Sequence, residues 1–221
     1  MRTIDADQLA VHATVTLVAR ATTADLTLAT PCRDWDLGAL LAHMTAQHRG
    51  FAAAAAGHGA DPTAWQPTNN PLDEYAAAAD QVIAAFAEDG VLDRGFVLPE
   101  LAADRPIPAA LAIGFHLVDY VVHGWDVARA LGLPFALPAD VLAVALPIAR
   151  AVPDAANRLT PGAAFAPGLP VPAGADPLTE IITRLGRSPN WSANLIESSQ
   201  PTTRSPRWSP GSAGHRTGTR T

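Results

Sequence analysis

The segment His116-Leu-Val-Asp119-Tyr-Val-Val-His123-Gly-Trp-Asp126 sets an imidazole, a carboxylate, a second imidazole and a second carboxylate at offsets 0, 3, 7 and 10. At about 3.6 residues per turn, these four groups share one stripe of a helix. Their surroundings are apolar: Ala110 to Phe115 precede the stripe, and Tyr120, Val121 and Val122 lie within it. Burying an unpaired charge costs several kcal/mol, so such a stripe must find partners. Two solutions suit these residue types: a divalent metal ion, or an internal hydrogen-bond network among the four groups.

Asp119 and His123 are four residues apart and meet on one turn, but a mononuclear site needs a further ligand from elsewhere. His43, in Leu40-Leu-Ala-His43-Met44, has apolar neighbours at i−3 and i+1 and therefore faces the core or its margin. Gln47 follows one turn later, then His48. His12 on the first helix, His58 in a Gly-rich loop and His215 near the end are poorer candidates. His43, Asp119 and His123 form a two-His, one-carboxylate set, which leaves coordination positions open for water or substrate. His116 can replace one of these ligands or support them from behind. Asp126, one turn after His123, can hold that ring by accepting its other N–H. Cys32 is the only cysteine. An intramolecular disulfide and a Cys-rich zinc site are excluded, and Cys32 reads as a small buried residue.

The elements that must position these groups are helical. A first helix is expected from about Asp7 to Thr22. A second is capped by Asp34 or Asp36, carries Leu37, Leu40, Leu41, Met44 and Phe51 as its apolar stripe, and stops at Gly57. A third runs from about Pro71 to Ala87, and a fourth from about Pro108 to Leu131 with Gly132 as its stop. No strong strand alternation interrupts them. The expectation is an all-α four-helix bundle over residues 1–132. The third connection, containing Phe96-Val-Leu-Pro-Glu100, is long enough to cover one end of it. Residues 133–191 form a short C-terminal extension packed on the bundle. It has a helix from about Ala139 to Ala151 that Pro147 should kink or shorten, and a last helix from Asp176 to Leu185. Trp35 is expected to plug the bundle end, and Trp125 to pack against a loop.

From Ser192 onward, Ser, Thr, Pro, Gly and Arg dominate, with four Arg against one acid, and residues 192–221 are expected to be a disordered basic tail. The whole chain has 221 residues, 48% hydrophobic, with a formal charge of −6. That is core enough for one domain and no signature of a nucleic-acid partner. Without a signal-peptide pattern or a spanning apolar run, no membrane association and a cytoplasmic location are expected.

Two further segments carry a family resemblance. Thr30-Pro-Cys-Arg-Asp-Trp35-Asp-Leu-Gly-Ala-Leu-Leu-Ala-His43 resembles the start of the second helix in the mycothiol-dependent maleylpyruvate isomerase N-terminal domain family, a branch of the DinB-like metal-binding bundles. Val122-His123-Gly-Trp-Asp126-Val-Ala-Arg-Ala-Leu-Gly132 resembles its fourth-helix signature. Pro161-Gly-Ala-Ala-Phe165 through Leu185-Gly-Arg-Ser-Pro-Asn-Trp191 is similar to an actinobacterial subgroup described as metal-binding proteins. The resemblance implies a metal held by His43, Asp119 and His123, with Asp119 standing where the isomerase has Glu. It also implies Zn²⁺ as the ion and mycothiol as a co-substrate.

The function expected is therefore that of a divalent-metal-binding DinB-like protein acting as a mycothiol-dependent isomerase or transferase. Its partners are a small-molecule thiol, activated as a zinc-bound thiolate, and an electrophilic substrate, with His116 or His48 moving protons. The alternative is a non-catalytic metal- or thiol-binding module, supported by the isomerase's separate C-terminal domain, which residues 133–191 do not match. A plain helical scaffold with a buried polar network is the third possibility.

Overall fold

The computed structural model describes residues 1–32, 35–159 and 164–193. The bundle is built from α1 (Thr3–Val18), α2 (Leu37–Ala55), α3 (Pro71–Phe86) and α5 (Ala109–Ala130). Between α3 and α5 lie β1 (Gly95–Leu98), the one-turn helix α4 (Pro99–Ala102) and β2 (Ala103–Pro108). After the bundle come α6 (Ala139–Ala151) and α7 (Pro177–Arg184).

Local chemistry sets the helix ends. α1 begins four residues earlier than expected, because the Asp5 carboxylate accepts from the Arg2 backbone N–H and guanidinium. It ends at Val18, and a separate 3-10 turn, Thr23–Thr27, is closed by the Asp25 carboxylate on Thr22. Of the two candidate caps for α2, Asp36 accepts from the Ala39 N–H at 2.8 Å; Asp34 lies outside the described residues. Pro71 opens α3, where its missing N–H is not needed. Gly57 and Gly132, both with positive φ, follow the ends of α2 and α5.

Two expectations are corrected. The third connection is an antiparallel β-hairpin, with Gly95 paired to Pro108 and Phe96 to Ile107. Its strands are too short, and β2 too rich in Pro, to give a sequence alternation. Only Phe96 and Leu98 show it, by both turning inward. Pro147 does not end α6, which continues to Ala151. The lost backbone bond is offset by packing: Val141, Leu142, Ala145 and Ala149 are buried in the main core.

That core joins α1, α2 and α5 to α6 and α7. A second cluster, with Phe51, Val82, Phe86, Phe96, Leu98 and Ile113, fixes the hairpin to the bundle. Gly124 permits the close approach around the site helix. A Cβ there would stand 2.8 Å from the Phe135 ring and 3.0 Å from Thr14 of α1. Among the described residues, no helix is long and apolar enough to cross a membrane. Most of the basic tail, residues 194–221, and the Pro161 to Ala163 part of the extended stretch lie outside the described residues.

Candidate metal centre

α2 presents His43 and α5 presents Asp119 and His123 to a common point. One donor atom from each lies within 4.8 Å of the others. His123 Nε2 is 3.4 Å from Asp119 Oδ1, and the two imidazoles meet nearly edge to face, with ring centroids 5.4 Å apart. His123 is buried, whereas His43 and Asp119 are partly exposed, so the group opens to solvent on one side.

The orientation of His123 is fixed from behind. Asp126, one turn further along α5, sits 3.0 Å from His123 Nδ1. An ionised carboxylate only accepts, so Nδ1 donates to Asp126, and it is Nε2 that faces Asp119 as the ligand nitrogen available to an ion. Asp126 has no exposure, and its charge is met by Arg187, whose Nη2 and Nε reach Oδ2 at 3.0 and 3.2 Å. Burial works to raise the Asp126 carboxyl, but the Arg187 charge and the His123 hydrogen bond outweigh it and hold it below the usual range. Arg187 is itself locked, donating to the Leu185 carbonyl and lying over the Phe165 ring. Burial is the main influence on His43 and lowers its pKa to about 4, the neighbouring Asp119 charge only partly opposing it. At neutral pH His43 is therefore an uncharged ligand-type imidazole.

Trp35, partly buried against the main core just before α2, is also a wall of the centre. Its ring lies tilted by 40° against His43, with centroids 4.5 Å apart, and 6.2 Å from His123. Cys32, half-buried on the same loop, is near enough to Arg187 for their charges to interact. Trp125 is buried beneath Arg129, whose guanidinium sits 5.1 Å over the ring.

His116 takes no part in this group. Two turns separate it from His123, about 10 Å along the helix axis. Its Nδ1 is 2.7 Å from Asp7 of α1, and its Nε2 is 3.3 Å from His48 Nδ1. This Asp7–His116–His48 relay is fully buried, with Tyr120 stacked on His48 at 4.1 Å. The expected uses of His116 as a substitute ligand, and of His116 or His48 as a proton carrier for substrate, are thereby corrected. Both rings are enclosed by α1, α3 and α5 and have no path to solvent. His12 and His58 are exposed and outside the donor group, and His215 lies outside the described residues.

Arg187 is the residue that sequence reasoning missed. Its only signal is an arginine directly after the Gly186 stop of α7, a position that reads equally well as a solvated helix end.

The profile of the mycothiol maleylpyruvate isomerase N-terminal domain matches residues 8–128, which include all three donors and Asp126. The chain belongs to the mycothiol maleylpyruvate isomerase N-terminal domain family. Two uncharacterized proteins of Mycobacterium tuberculosis, from strains CDC 1551 / Oshkosh and ATCC 25618 / H37Rv, are each 28% identical over 186 residues. Each alignment covers 83% of this chain and 96% of the relative, so the likeness extends past the family match into the part of the chain that follows the bundle. No solved structure gives a significant match. Membership in this family accounts for the all-α, DinB-like bundle and links the chain to small-molecule thiol chemistry.

Proposed function

We propose that this member of the mycothiol maleylpyruvate isomerase N-terminal domain family holds a divalent cation, Zn²⁺ by donor type, on His43, Asp119 and His123. In this reading it uses mycothiol, or a thiol of the same class, in an isomerisation or transfer on an electrophilic substrate. The observation that carries the reading is the convergence of two imidazoles and one carboxylate, with the His123 ring oriented by Asp126 and Arg187. Bonds of about 2.0–2.2 Å to His nitrogen and carboxylate oxygen fit this donor set after small side-chain rotations. The bound ion would supply a Lewis acid that lowers the pKa of a thiol.

The protein's own share is positioning. Asp126 keeps the His123 lone pair aimed inward. His43 has no proton to lose above about pH 4. Trp35 keeps water off one side of the His43 ring. Asp119 adds the negative charge that offsets the cation.

The test is metal analysis of protein purified without chelator or affinity-tag histidines, followed by maleylpyruvate isomerisation assayed with and without mycothiol. One bound equivalent that is lost in His43→Ala and His123→Ala, together with thiol-dependent turnover, is the expected result. Metal without turnover leaves the second reading, a metal- or thiol-binding module. The second reading draws on the family match, which ends at residue 128 before α6 and α7.

A further inference from the structure

Trp35 offers no ligand atom to an ion, yet the fold holds it beside two of the three donors. The loop that carries it is pinned at both ends. Ala29 pairs with Asp36, and the Leu37 N–H donates to the Leu28 carbonyl at 2.9 Å. Within the loop, the buried Thr30 hydroxyl donates to the Trp35 carbonyl at 2.8 Å, and the Trp35 N–H to the Cys32 carbonyl at 2.9 Å. Asp36, the next residue, caps α2, the helix that carries His43. The indole is partly buried against the main core. Its place beside the centre is therefore set by the backbone on either side of it and by packing.

The indole, His43 and His123 form a triangle of rings. Centroids are 4.5 Å apart for Trp35 and His43, 6.2 Å for Trp35 and His123, and 5.4 Å for His43 and His123. All three separations fall in the range of about 4.5–7 Å at which aromatic rings pack directly on one another. No layer of water fits between rings so placed. Asp119 brings no ring to this wall, and its side chain is 22% exposed. Two of the three donors thus share a dry aromatic wall, while the third meets solvent. The apolar surroundings of a metal site control the access of water to it.

We infer that Trp35 is a selectivity residue of the centre. By holding down the number of waters that can join the ion, it favours ions content with few ligands, such as Zn²⁺, over ions that prefer an octahedral, oxygen-rich shell, such as Mn²⁺. The inference rests on the metal reading of His43, Asp119 and His123. It goes beyond that reading by giving part of the choice of ion to a residue that coordinates nothing. Two imidazoles and one carboxylate do not make that choice alone, because the same donors suit other divalent ions when further positions stay open to water.

The experiment compares wild type, Trp35→Phe, Trp35→Leu and Trp35→Ala as full chains, with melting curves as the folding control. Zn²⁺ affinity is read by competition with a chromogenic chelator, and Mn²⁺ affinity from the EPR signal of the free ion. Coordination number is read from the visible spectrum of the Co²⁺ form, where four ligands absorb far more strongly than six. Expected is a preference for Zn²⁺ over Mn²⁺ that shrinks about tenfold or more in Trp35→Ala, with Co²⁺ absorption falling in step. Trp35→Leu should lie between, and Trp35→Phe should stay close to wild type. If Trp35→Ala does not fold, Trp35→Leu must show both changes in smaller degree. A preference within about twofold of wild type in the folded variants, with the Co²⁺ spectrum unchanged, overturns the inference and leaves the three-donor site intact. So does an equal weakening of both ions, which would make Trp35 a plain structural support. Failure of the wild-type protein to bind any of the three ions overturns the metal reading itself.

Discussion

Replacing Arg187 by Met tests whether the C-terminal segment acts on the metal centre through Asp126. Asp126 has no exposure and Arg187 has 3%. Their contacts of 3.0 and 3.2 Å, with a third at 3.4 Å, are therefore made away from water. Removing one partner of a buried pair strands the other charge and costs about 3–5 kcal/mol. For a chain of this size about 1 kcal/mol moves the melting temperature by roughly 2–4 °C, so Arg187→Met should melt about 6–20 °C lower. The stranded Asp126 would tend to take up a proton and would hold His123 Nδ1 less firmly. Zn²⁺ affinity should then fall about 10–100-fold. The double variant Asp126→Leu/Arg187→Met separates the two effects. It removes both charges and should regain most of the melting temperature, while metal affinity stays low because nothing fixes the His123 tautomer. Urea or thermal denaturation reads the first quantity, and chelator competition the second. A double variant that binds Zn²⁺ like wild type would refute the orienting role. A cost below about 1 kcal/mol in Arg187→Met would refute the buried-pair argument.

Asp119→Glu should retain metal, because it restores the longer carboxylate of the isomerase pattern, whereas Asp119→Asn should weaken it about tenfold or more by removing the negative charge; equal affinities in chelator competition would dismiss Asp119 as a ligand. His116→Ala should lower the melting temperature by leaving Asp7, 1% exposed, without its imidazole, yet bind Zn²⁺ within a few-fold of wild type; loss of metal with an intact fold would return His116 to the site. Metal-free protein should lose stability as pH falls. Burial lowers His48 well below 6.5 and His43 to about 4, so the unfolded chain binds more protons than the folded one below about pH 6.5 and stability rises with pH through that window. His43 alone contributes at most about 3 kcal/mol between pH 6.5 and 4, so a urea midpoint that is flat from pH 7.5 to 4.5 would contradict the buried neutral histidines. Gly50→Ala should destabilise by about 1–3 kcal/mol, because its Cβ would overlap the Trp65 ring; an unchanged melting curve would mean that Trp65 is loosely held.

The sequence by itself determined whatever depends on neighbours a few residues apart. Asp36 caps α2 through Ala39, three residues on. Asp119, His123 and Asp126 share a stripe because three- and four-residue spacings do so on any helix. His43 could be nominated because its immediate neighbours were apolar, and the bundle because four such helices can bury their stripes only against one another. The same local logic failed for His116, which lies on the same stripe. Alignment along a stripe fixes direction around the axis but not which helix stands opposite at that height. Opposite His116 stand Asp7, 109 residues away, and His48, 68 residues away. Arg187 reaches Asp126 across 61 residues. None of these pairings leaves a periodicity in the sequence, because each depends on how whole elements dock. Spacing along α5 places Asp126 beside His123, but the partner that holds Asp126 was set by the tertiary structure alone, since Arg187 is chosen by packing in the core and not by spacing along the chain.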